Sequence, residues 1–248
     1  MLGTIIITGS GRGIGAATAL HAAQRGYAVC VNFRARQDAA DAVVRAISSG
    51  GGRAIAVKAE NHVESDVRRL FDTAERELGP IAALVNNAGV PGRIGRVEGL
   101  DAEMLRRVLD VNVVGTMLCA REAVLRMSLK HGGKGGAIVN VSSMASRTGS
   151  PGELVPYAAA KAAVETFTYG LGAEVAMEGI RVNCVSAGLI ETEIHEEAGD
   201  AERLQRYATR MPMARAGKPE EVAVAIVWLL SSEASYITGA TLPVAGGR

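Results

Sequence analysis

Hydrophobic residues along the chain fall into short unbroken runs separated by longer amphipathic stretches. Consecutive apolar positions are expected for strands of a parallel sheet whose two faces are both covered by helices. Seven runs have this pattern: Thr4–Thr8, Ala28–Phe33, Ala54–Val57, Ile81–Val85, Ala137–Val141, Ile180–Val185 and Thr241–Val244. The pattern therefore predicts seven strands.

The stretches between these runs carry apolar residues at helical spacing, and several end near glycine. They predict helices over Gly13–Arg25, Asp38–Ser48, Glu64–Leu78, Ala102–Lys130, Pro156–Glu178 and Pro219–Leu230. Strands alternating with helices predict an α/β fold, with a single doubly wound parallel seven-stranded sheet of the Rossmann type and helices on both faces. Ligands bind beyond the carboxyl ends of such strands, so the polar residues there are the candidates for function.

Composition narrows the classes of function. The 248 residues include 27 Lys+Arg and 26 Asp+Glu, a net charge of +1, which offers little attraction for nucleic acid. The longest apolar run, Val222–Leu230, is far shorter than the roughly 18 to 20 residues that span a bilayer. We expect one soluble domain over residues 1–248, with neither nucleic acid nor membrane as a partner.

Cysteines and histidines give no sign of a metal site or a disulfide framework. The three cysteines, Cys30, Cys119 and Cys184, are far apart, and the four histidines have no metal-ligand spacing. The N-terminal residues lack the layout of a secretory signal. We therefore expect a cytoplasmic protein with no bound metal.

A glycine-rich segment follows the first predicted strand. Gly9, Gly13 and Gly15 form the pattern TGxxxGxG, with Arg12 and Ile14 between them. Glycines here allow a tight turn, and the amides at the start of the next helix can bind a phosphate. The alternative is a turn that only packs the helix against the sheet.

The TGxxxGxG pattern resembles the short-chain dehydrogenase/reductase family, and the resemblance extends from Thr8 to Gly247. The glucose-dehydrogenase-like and 3-oxoacyl-carrier-protein-reductase-like branches are the most similar. The resemblance implies a nicotinamide cofactor, a small alcohol or carbonyl substrate and a homotetramer. Candidate subunit contacts are the long fourth helix, the apolar Val164, Phe167 and Leu171, and the segment Tyr236–Gly247. The alternative is that these apolar residues only cover the sheet.

The end of the second strand bears on the choice of cofactor. An NAD enzyme usually has a carboxylate there, whereas this chain has Phe33 followed by Arg34. Arg34 and Arg12 could converge on a phosphate through charge-assisted hydrogen bonds, so we expect NADP. The alternative is that Arg34 and Arg36 are solvated surface charges.

Two further motifs follow strands at the same edge of the sheet. Glu60 and Asn61 stand where the family usually has Asp and a small apolar residue near the adenine. Asn86, Asn87, Ala88 and Gly89 match the family's NNAG motif, which implies that Asn87 lies beside the cofactor. A purely structural role, with the amides bonded to buried backbone groups, is also open.

Four residues match the family's catalytic tetrad: Asn112, Ser143, Tyr157 and Lys161. Tyr157 and Lys161 are four positions apart on a predicted helix and so share a face. We expect Lys161, with the oxidised cofactor, to lower the pKa of Tyr157 from about 10 so that it can transfer a proton. By resemblance, Ser143 holds the substrate oxygen, Lys161 holds the ribose and Asn112 holds a water molecule. Asn112 could alternatively kink its helix by bonding to its own backbone.

The remaining segments depart slightly from the family pattern. The interval from Ser143 to Tyr157 is one residue longer than usual, and Glu153 within it could face the substrate. Gly188 and Thr192 match cofactor-contacting positions, although Ala187 replaces the usual proline. Residues Glu193–Met211 lack a strong period and are expected to form a flexible lid that sets specificity.

Together these features predict an NADP-dependent oxidoreductase that interconverts an alcohol and a ketone or aldehyde by hydride transfer. An alternative is a protein that senses NADP(H) on the same fold without turnover, although the complete tetrad argues against it. A hydrolase using Ser143 is excluded, because no histidine stands at a position that would partner it.

Overall fold

The computed structural model describes residues 2–200 and 202–248. One sheet has the strand order β3-β2-β1-β4-β5-β6-β7, and every strand pair in it is parallel. The strands are β1 (Thr4–Ile7), β2 (Ala28–Phe33), β3 (Ala54–Lys58), β4 (Ile81–Asn86), β5 (Gly136–Ser143), β6 (Ile180–Ala187) and β7 (Thr241–Val244). The predicted α/β fold, with a doubly wound seven-stranded parallel sheet, is confirmed.

Helices connect the strands and cover both faces of the sheet. They are α1 (Gly13–Gln24), α2 (Gln37–Ser49), α3 (Glu64–Leu78), α4 (Ala102–Leu109), α5 (Gly115–Met127), α6 (Ala145–Thr148), α7 (Val155–Glu174), α8 (Ile194–Glu197), α9 (Arg203–Ala208) and α10 (Pro219–Leu230). The two predicted helices at the ends of this series, starting at Gly13 and Pro219, begin where expected. The predicted lid contains the short helices α8 and α9, and its residue Ala201 lies outside the described residues.

Alternate strand residues point to opposite faces and create two separate apolar layers. Ile5 and Ile7 pack with α1, α2 and α10 on one face, whereas Ile6 packs with α3 and α5 on the other. All three isoleucines are fully buried. The unbroken hydrophobic character of the strands follows, because each face of the sheet must meet an apolar helix surface.

The predicted helix Ala102–Lys130 is interrupted. A wide π-helical turn, Asp110–Val114, separates α4 from α5. At its centre the Asn112 side-chain amide donates to the carbonyl oxygens of Val108 and Val90, both at 2.8 Å. This confirms the backbone-bonded geometry considered for Asn112, since π turns arise where a side chain competes for helical carbonyls.

Three side chains of α7 were candidates for subunit contacts. Val164 is buried, and Phe167 and Leu171 pack against the core beneath α7. This packing fits the alternative in which these residues only cover the sheet, and their role as subunit contacts stays a prediction. Tyr236, from the C-terminal segment, is fully exposed.

The strand order reverses between β1 and β4, which lie side by side at the centre of the sheet. The loops after these two strands diverge and leave a crevice beyond their carboxyl ends. None of the helices within residues 2–200 and 202–248 is both long and apolar enough to cross a lipid bilayer.

Candidate active site

A cavity of about 770 Å³ opens along the carboxyl edge of the sheet. It extends from the loop after β1 to the ends of β5 and β6, and the lid covers part of it. Its lining includes most of the predicted site residues: Gly9, Arg12, Gly13, Ile14, Arg34, Glu60, Asn61, Asn87, Ala88, Gly89, Ser143, Tyr157, Lys161, Gly188 and Thr192. Gly15 and Asn112 do not line it.

The glycine-rich loop takes a shape that other residues would strain. Gly9 and Gly13 have φ values of +63° and +52°, in the left-handed region. A Cβ on Gly9 would lie 3.0 Å from the Cα of Ala88, so the loop passes directly over the β4 end. Helix α1 begins without a side-chain cap, which leaves its first amides available to an anion.

Gly15 has a packing role, and its expected contact with the cofactor stays a prediction. It is buried, and a Cβ there would lie 2.5 Å from Asn87 Nδ2 and 2.7 Å from the Gly9 carbonyl oxygen. Because these neighbours belong to the protein itself, Gly15 allows α1 to approach the sheet closely.

Asn87 and Thr8 fasten the β1 and β4 loops to each other. Asn87 Nδ2 donates to the carbonyl oxygens of Thr8 and Gly9, at 2.9 and 3.1 Å. The Thr8 hydroxyl in turn accepts from the amides of Asn87 and Ala88, both at 3.0 Å. The structural interpretation of the NNAG motif is therefore correct, and Asn87 also lines the cavity. The role of Thr8 could not be predicted from the sequence, because it depends on contacts with the residues that follow β4.

Two of the three arginines at the outer end of the cavity make ion pairs with the lid, and the predicted convergence of Arg12 and Arg34 on a phosphate stays a prediction. Arg12 Nη1 donates to Glu193 Oε2 at 2.5 Å, and Arg12 Nη2 bonds to Glu197. The same Glu193 oxygen accepts from Arg36 Nη1 at 2.7 Å. Arg34 is exposed and has no ion pair with any described residue. The second guanidinium beside Arg12 therefore belongs to Arg36, and two lid carboxylates occupy the pair.

The residues after β3 divide between the cavity and the core. Glu60 Oε2 lies 3.5 Å from His62 Nε2 at the cavity edge. Asn61 is buried, and its amide donates to the carbonyl oxygen of Val111 at 2.9 Å. The Asn61 side chain thus holds the wide turn between α4 and α5 and is engaged within the protein.

At the inner end of the cavity, β5 and α7 bring Ser143, Tyr157 and Lys161 together. Lys161 Nζ donates to the Val141 carbonyl oxygen at 2.8 Å and lies 5.5 Å from the centre of the Tyr157 ring. A side-chain hydrogen bond connects Ser143 with Tyr157. The three side chains therefore converge on one small region beside the cavity.

Burial controls the protonation of this cluster in the protein alone. It raises the pKa of Tyr157 to about 12, against a smaller lowering by the Ser143 hydrogen bond. It also lowers the pKa of Lys161 from 10.5 to about 8. Desolvation of the phenol dominates here, and the expectation that Lys161 and the oxidised cofactor together lower the Tyr157 pKa stays a prediction. At neutral pH Tyr157 is therefore protonated.

Asn112 lies close to Lys161 but does not line the cavity. Its Oδ1 atom is buried and has no hydrogen-bond partner among the described residues. A Cβ on Gly89 would lie 2.7 Å from this oxygen and 3.3 Å from Lys161 Nζ. Both polar atoms thus face the same point, and a buried acceptor of this kind normally has a water or ligand donor.

The loop between Ser143 and Tyr157 absorbs its additional residue through left-handed backbone. Gly149, Ser150 and Gly152 have φ values of +71°, +44° and +74°. Glu153 lines the cavity as expected, but its carboxylate accepts from Arg203 Nη2 at 2.6 Å and from the Tyr207 hydroxyl at 2.9 Å. The loop is therefore tied to helix α9 of the lid.

The segment after β6 is held firmly despite its missing proline. Gly188 packs so closely that a Cβ would lie 2.6 Å from the Cα of Ala245. Further on, the Glu191 amide donates to the Gly217 carbonyl oxygen at 2.9 Å. Thr192 reaches across to the glycine-rich loop, 3.2 Å from where a Cβ on Gly13 would lie.

Glu165 is a further residue that sequence analysis missed. Its carboxylate accepts from Ser142 Oγ at 2.8 Å and from Ser146 Oγ at 2.7 Å. Glu165 lies on α7 one turn beyond Lys161, so these bonds fix the end of β5 relative to the helix that carries Tyr157. The spacing along α7 predicts that Glu165 lies near Lys161. It does not identify Ser142 and Ser146 as the hydrogen-bond partners of Glu165.

Known proteins are similar to this chain in sequence and in fold. A family model described as enoyl-(acyl carrier protein) reductase matches residues 9–248. The "uncharacterized oxidoreductase YgfF" of Escherichia coli is 53% identical over 243 residues, which cover 98% of each chain. Glucose 1-dehydrogenase 2 of Bacillus subtilis is 38% identical over 98% of this chain and 93% of its own. The solved structure of a short-chain dehydrogenase/reductase from Serratia marcescens superimposes with a TM-score of 0.90 at 33% identity, covering 99% of this chain and 96% of that one.

The chain therefore belongs to the short-chain dehydrogenase/reductase family and is an oxidoreductase. The family uses nicotinamide cofactors, NAD or NADP.

Proposed function

We propose that this oxidoreductase uses NADP and interconverts an alcohol and a ketone or aldehyde by hydride transfer. One observation carries the proposal: a single cavity joins the glycine-rich loop at Gly9 and Gly13 to the cluster of Ser143, Tyr157 and Lys161. Its volume of about 770 Å³ is in the range of ligand pockets. A cofactor bound along the edge of the sheet would end beside a proton donor.

The residues present fit a nicotinamide dinucleotide. The uncapped start of α1 and the left-handed glycines offer backbone amides to a pyrophosphate. Arg12, Arg34 and Arg36 supply guanidinium groups where a 2′-phosphate would lie. When bound, the nicotinamide ring donates or accepts the hydride. The other proposed cofactor contacts are Ile14, Glu60, Asn61, Asn87, Ala88, Gly89, Tyr157, Lys161, Gly188 and Thr192.

Tyr157 is the proposed proton donor and acceptor. With its pKa raised to about 12, it holds a proton at neutral pH and can give it to a substrate oxygen during reduction. Ser143, bonded to Tyr157, would hold that oxygen and stabilise the charge developing on it. Lys161 would hold the ribose and favour the phenolate that remains after the proton leaves. Asn112, with its free acceptor, would hold a water molecule near Lys161.

The proposal is tested by following reduced-nicotinamide absorbance with NADPH and NADH against a panel of ketones, aldehydes and alcohols. We expect turnover that depends on the Tyr157 hydroxyl, with Tyr157→Phe lowering kcat by about 100-fold or more. Tyr169→Phe is a matched control, because Tyr169 lies on the same helix but is 70% exposed. Equal activity of wild type and Tyr157→Phe would refute the assigned role.

The second candidate is a sensor that binds NADP(H) without turnover. It would bind the cofactor tightly and remain inactive across the whole panel in both directions. Wild-type turnover lost in Tyr157→Phe would exclude it.

We also propose a cytoplasmic homotetramer built from one NAD(P)-binding domain over residues 1–248. Exposed apolar side chains support assembly: Val114 just before α5, Met117 and Leu125 on α5, and Tyr236 near the C-terminus. Light scattering during size-exclusion chromatography measures the mass directly, and a monomer of 25.7 kDa would refute assembly.

A further inference from the structure

We propose that Glu193, assisted by Glu197, is a specificity-determining residue that competes with the 2′-phosphate of NADP(H) for Arg12 and Arg36. The inference rests on the proposed use of a nicotinamide cofactor in this cavity. In this arrangement the lid carries its own anion into the phosphate subsite and lowers the preference for NADP over NAD.

The geometry of the arginines defines the subsite. Arg12 belongs to the glycine-rich loop and Arg36 follows β2, where an α/β enzyme distinguishes the two dinucleotides. One oxygen of Glu193 accepts from both guanidinium groups, at 2.5 and 2.7 Å. A single acceptor shared by two arginines is the contact that a phosphate oxygen would make.

Glu193 reaches this place from the opposite side of the cavity. It lies 181 positions from Arg12 in sequence, directly before α8 of the lid. Glu197 lies one turn further along the chain, on α8, and its carboxylate accepts a hydrogen bond from Arg12 Nη2. Thr192 packs over Gly13, so the lid and the glycine-rich loop are in contact at this point.

The charges of the arginines and glutamates determine how this subsite receives a 2′-phosphate. Arg12 and Arg36 carry two positive charges, and Glu193 and Glu197 balance them with two negative charges. Of Arg12, Arg34 and Arg36, only Arg34 makes no ion pair with a described residue. A 2′-phosphate must therefore displace the carboxylates or bind beside them, whereas NAD(H), which lacks that phosphate, meets no such competition.

All these side chains are partly exposed, at 37 to 56%. Exposed ion pairs are each worth little, so the expected effect is a modest change in selectivity. Salt should reduce it, because exposed charges are screened.

The test compares cofactor binding by Glu193→Gln, Glu197→Gln and the double variant, using nucleotide fluorescence titrations of NADPH and NADH at low salt without substrate. We expect the double variant to bind NADPH about three- to tenfold more tightly. The dissociation constant for NADH should change less than twofold, and the gain for NADPH should shrink at high salt.

Glu196→Gln is the matched control. Glu196 lies on the same short helix, is exposed, makes no ion pair with a described residue and does not line the cavity. It removes the same charge from α8, so it measures any general effect of net charge. We expect it to leave both dissociation constants unchanged within twofold.

The outcomes separate this inference from the proposed function. Equal tightening of NADPH and NADH, or weaker NADPH binding in Glu193→Gln, would overturn the competition. Preferential binding of NADH by wild type would contradict the proposed use of NADP, yet a selective gain for NADPH in the double variant would still support competition. Binding of neither cofactor by any variant would overturn both.

Discussion

Lys161 is a charged side chain that the fold buries, and its removal should change stability in a pH-dependent way. Lys161 is 4% exposed, and burial lowers its pKa from 10.5 to about 8. That lowering corresponds to about 3 kcal/mol of unfavourable free energy for carrying the ammonium in the folded protein at pH 7. The proposed catalytic group is therefore also a source of instability.

The variant Lys161→Met removes the charge and keeps a flexible apolar side chain. It also removes the hydrogen bond from Nζ to the Val141 carbonyl oxygen, which is worth about 1.5–3 kcal/mol for a charged donor. The relief from burying the ammonium and the loss of this hydrogen bond nearly offset each other. At pH 7 we therefore expect the variant to be about as stable as wild type, or up to about 1.5 kcal/mol more stable.

The sign of the pH dependence is the decisive observation. Between the folded pKa of about 8 and the unfolded value of 10.5, the unfolded chain binds more protons at this site. Wild-type stability therefore rises with pH through this window relative to the variant. By about pH 9.5 the free energy of unfolding of wild type should have risen by about 2 kcal/mol relative to that of Lys161→Met.

Urea unfolding followed by circular dichroism, at pH 7 and about pH 9.5 and at fixed protein concentration, measures this difference. Lys134→Met is the control, because Lys134 is exposed in the loop before β5. A difference between wild type and Lys161→Met that stays constant over this pH range would refute the reasoning. So would a variant at pH 7 that is less stable by more than about 2 kcal/mol.

Three other predictions follow from single features. Gly89→Ala should lower kcat/KM by about 100-fold, because a Cβ 2.7 Å from Asn112 Oδ1 and 3.3 Å from Lys161 Nζ displaces the cluster; steady-state kinetics measures it. Ala214→Gly should raise the free energy of unfolding by up to about 1 kcal/mol in urea, since Ala214 has a φ of +53°. The three cysteines are buried with pKa values raised to about 12, so a disulfide reagent should label them only in denaturant.

The strands were predictable because burial on both faces leaves a mark in the sequence itself. The runs beginning at Thr4, Ala28, Ile81 and Ile180 start where the observed strands start. Local sequence also marked the inner end of the site, since Ser143 follows β5 directly and Tyr157 and Lys161 share a face of α7.

The parts that could not be predicted depend on contacts between distant segments. The interruption at Asn112 requires the Val90 carbonyl oxygen, which belongs to another loop, and helical periodicity continues through it. The pairing of Arg12 with Glu193 joins residues 181 positions apart. No local pattern identifies Arg36, and not Arg34, as the arginine that shares this carboxylate.

Titratable side chains gather at both ends of the cavity, but in opposite electrostatic settings. Lys161 and Tyr157 are desolvated at the inner end, so each is driven toward its neutral form. At the outer end, Arg12 and Arg36 are drawn together and held by carboxylates from the lid. A fold selected only for stability would have no reason to bury an ammonium beside a phenol or to gather guanidinium groups at one edge of the sheet. Both arrangements are explained if an anionic ligand lies along the cavity, with its phosphates toward the arginines and its reactive ring toward Tyr157.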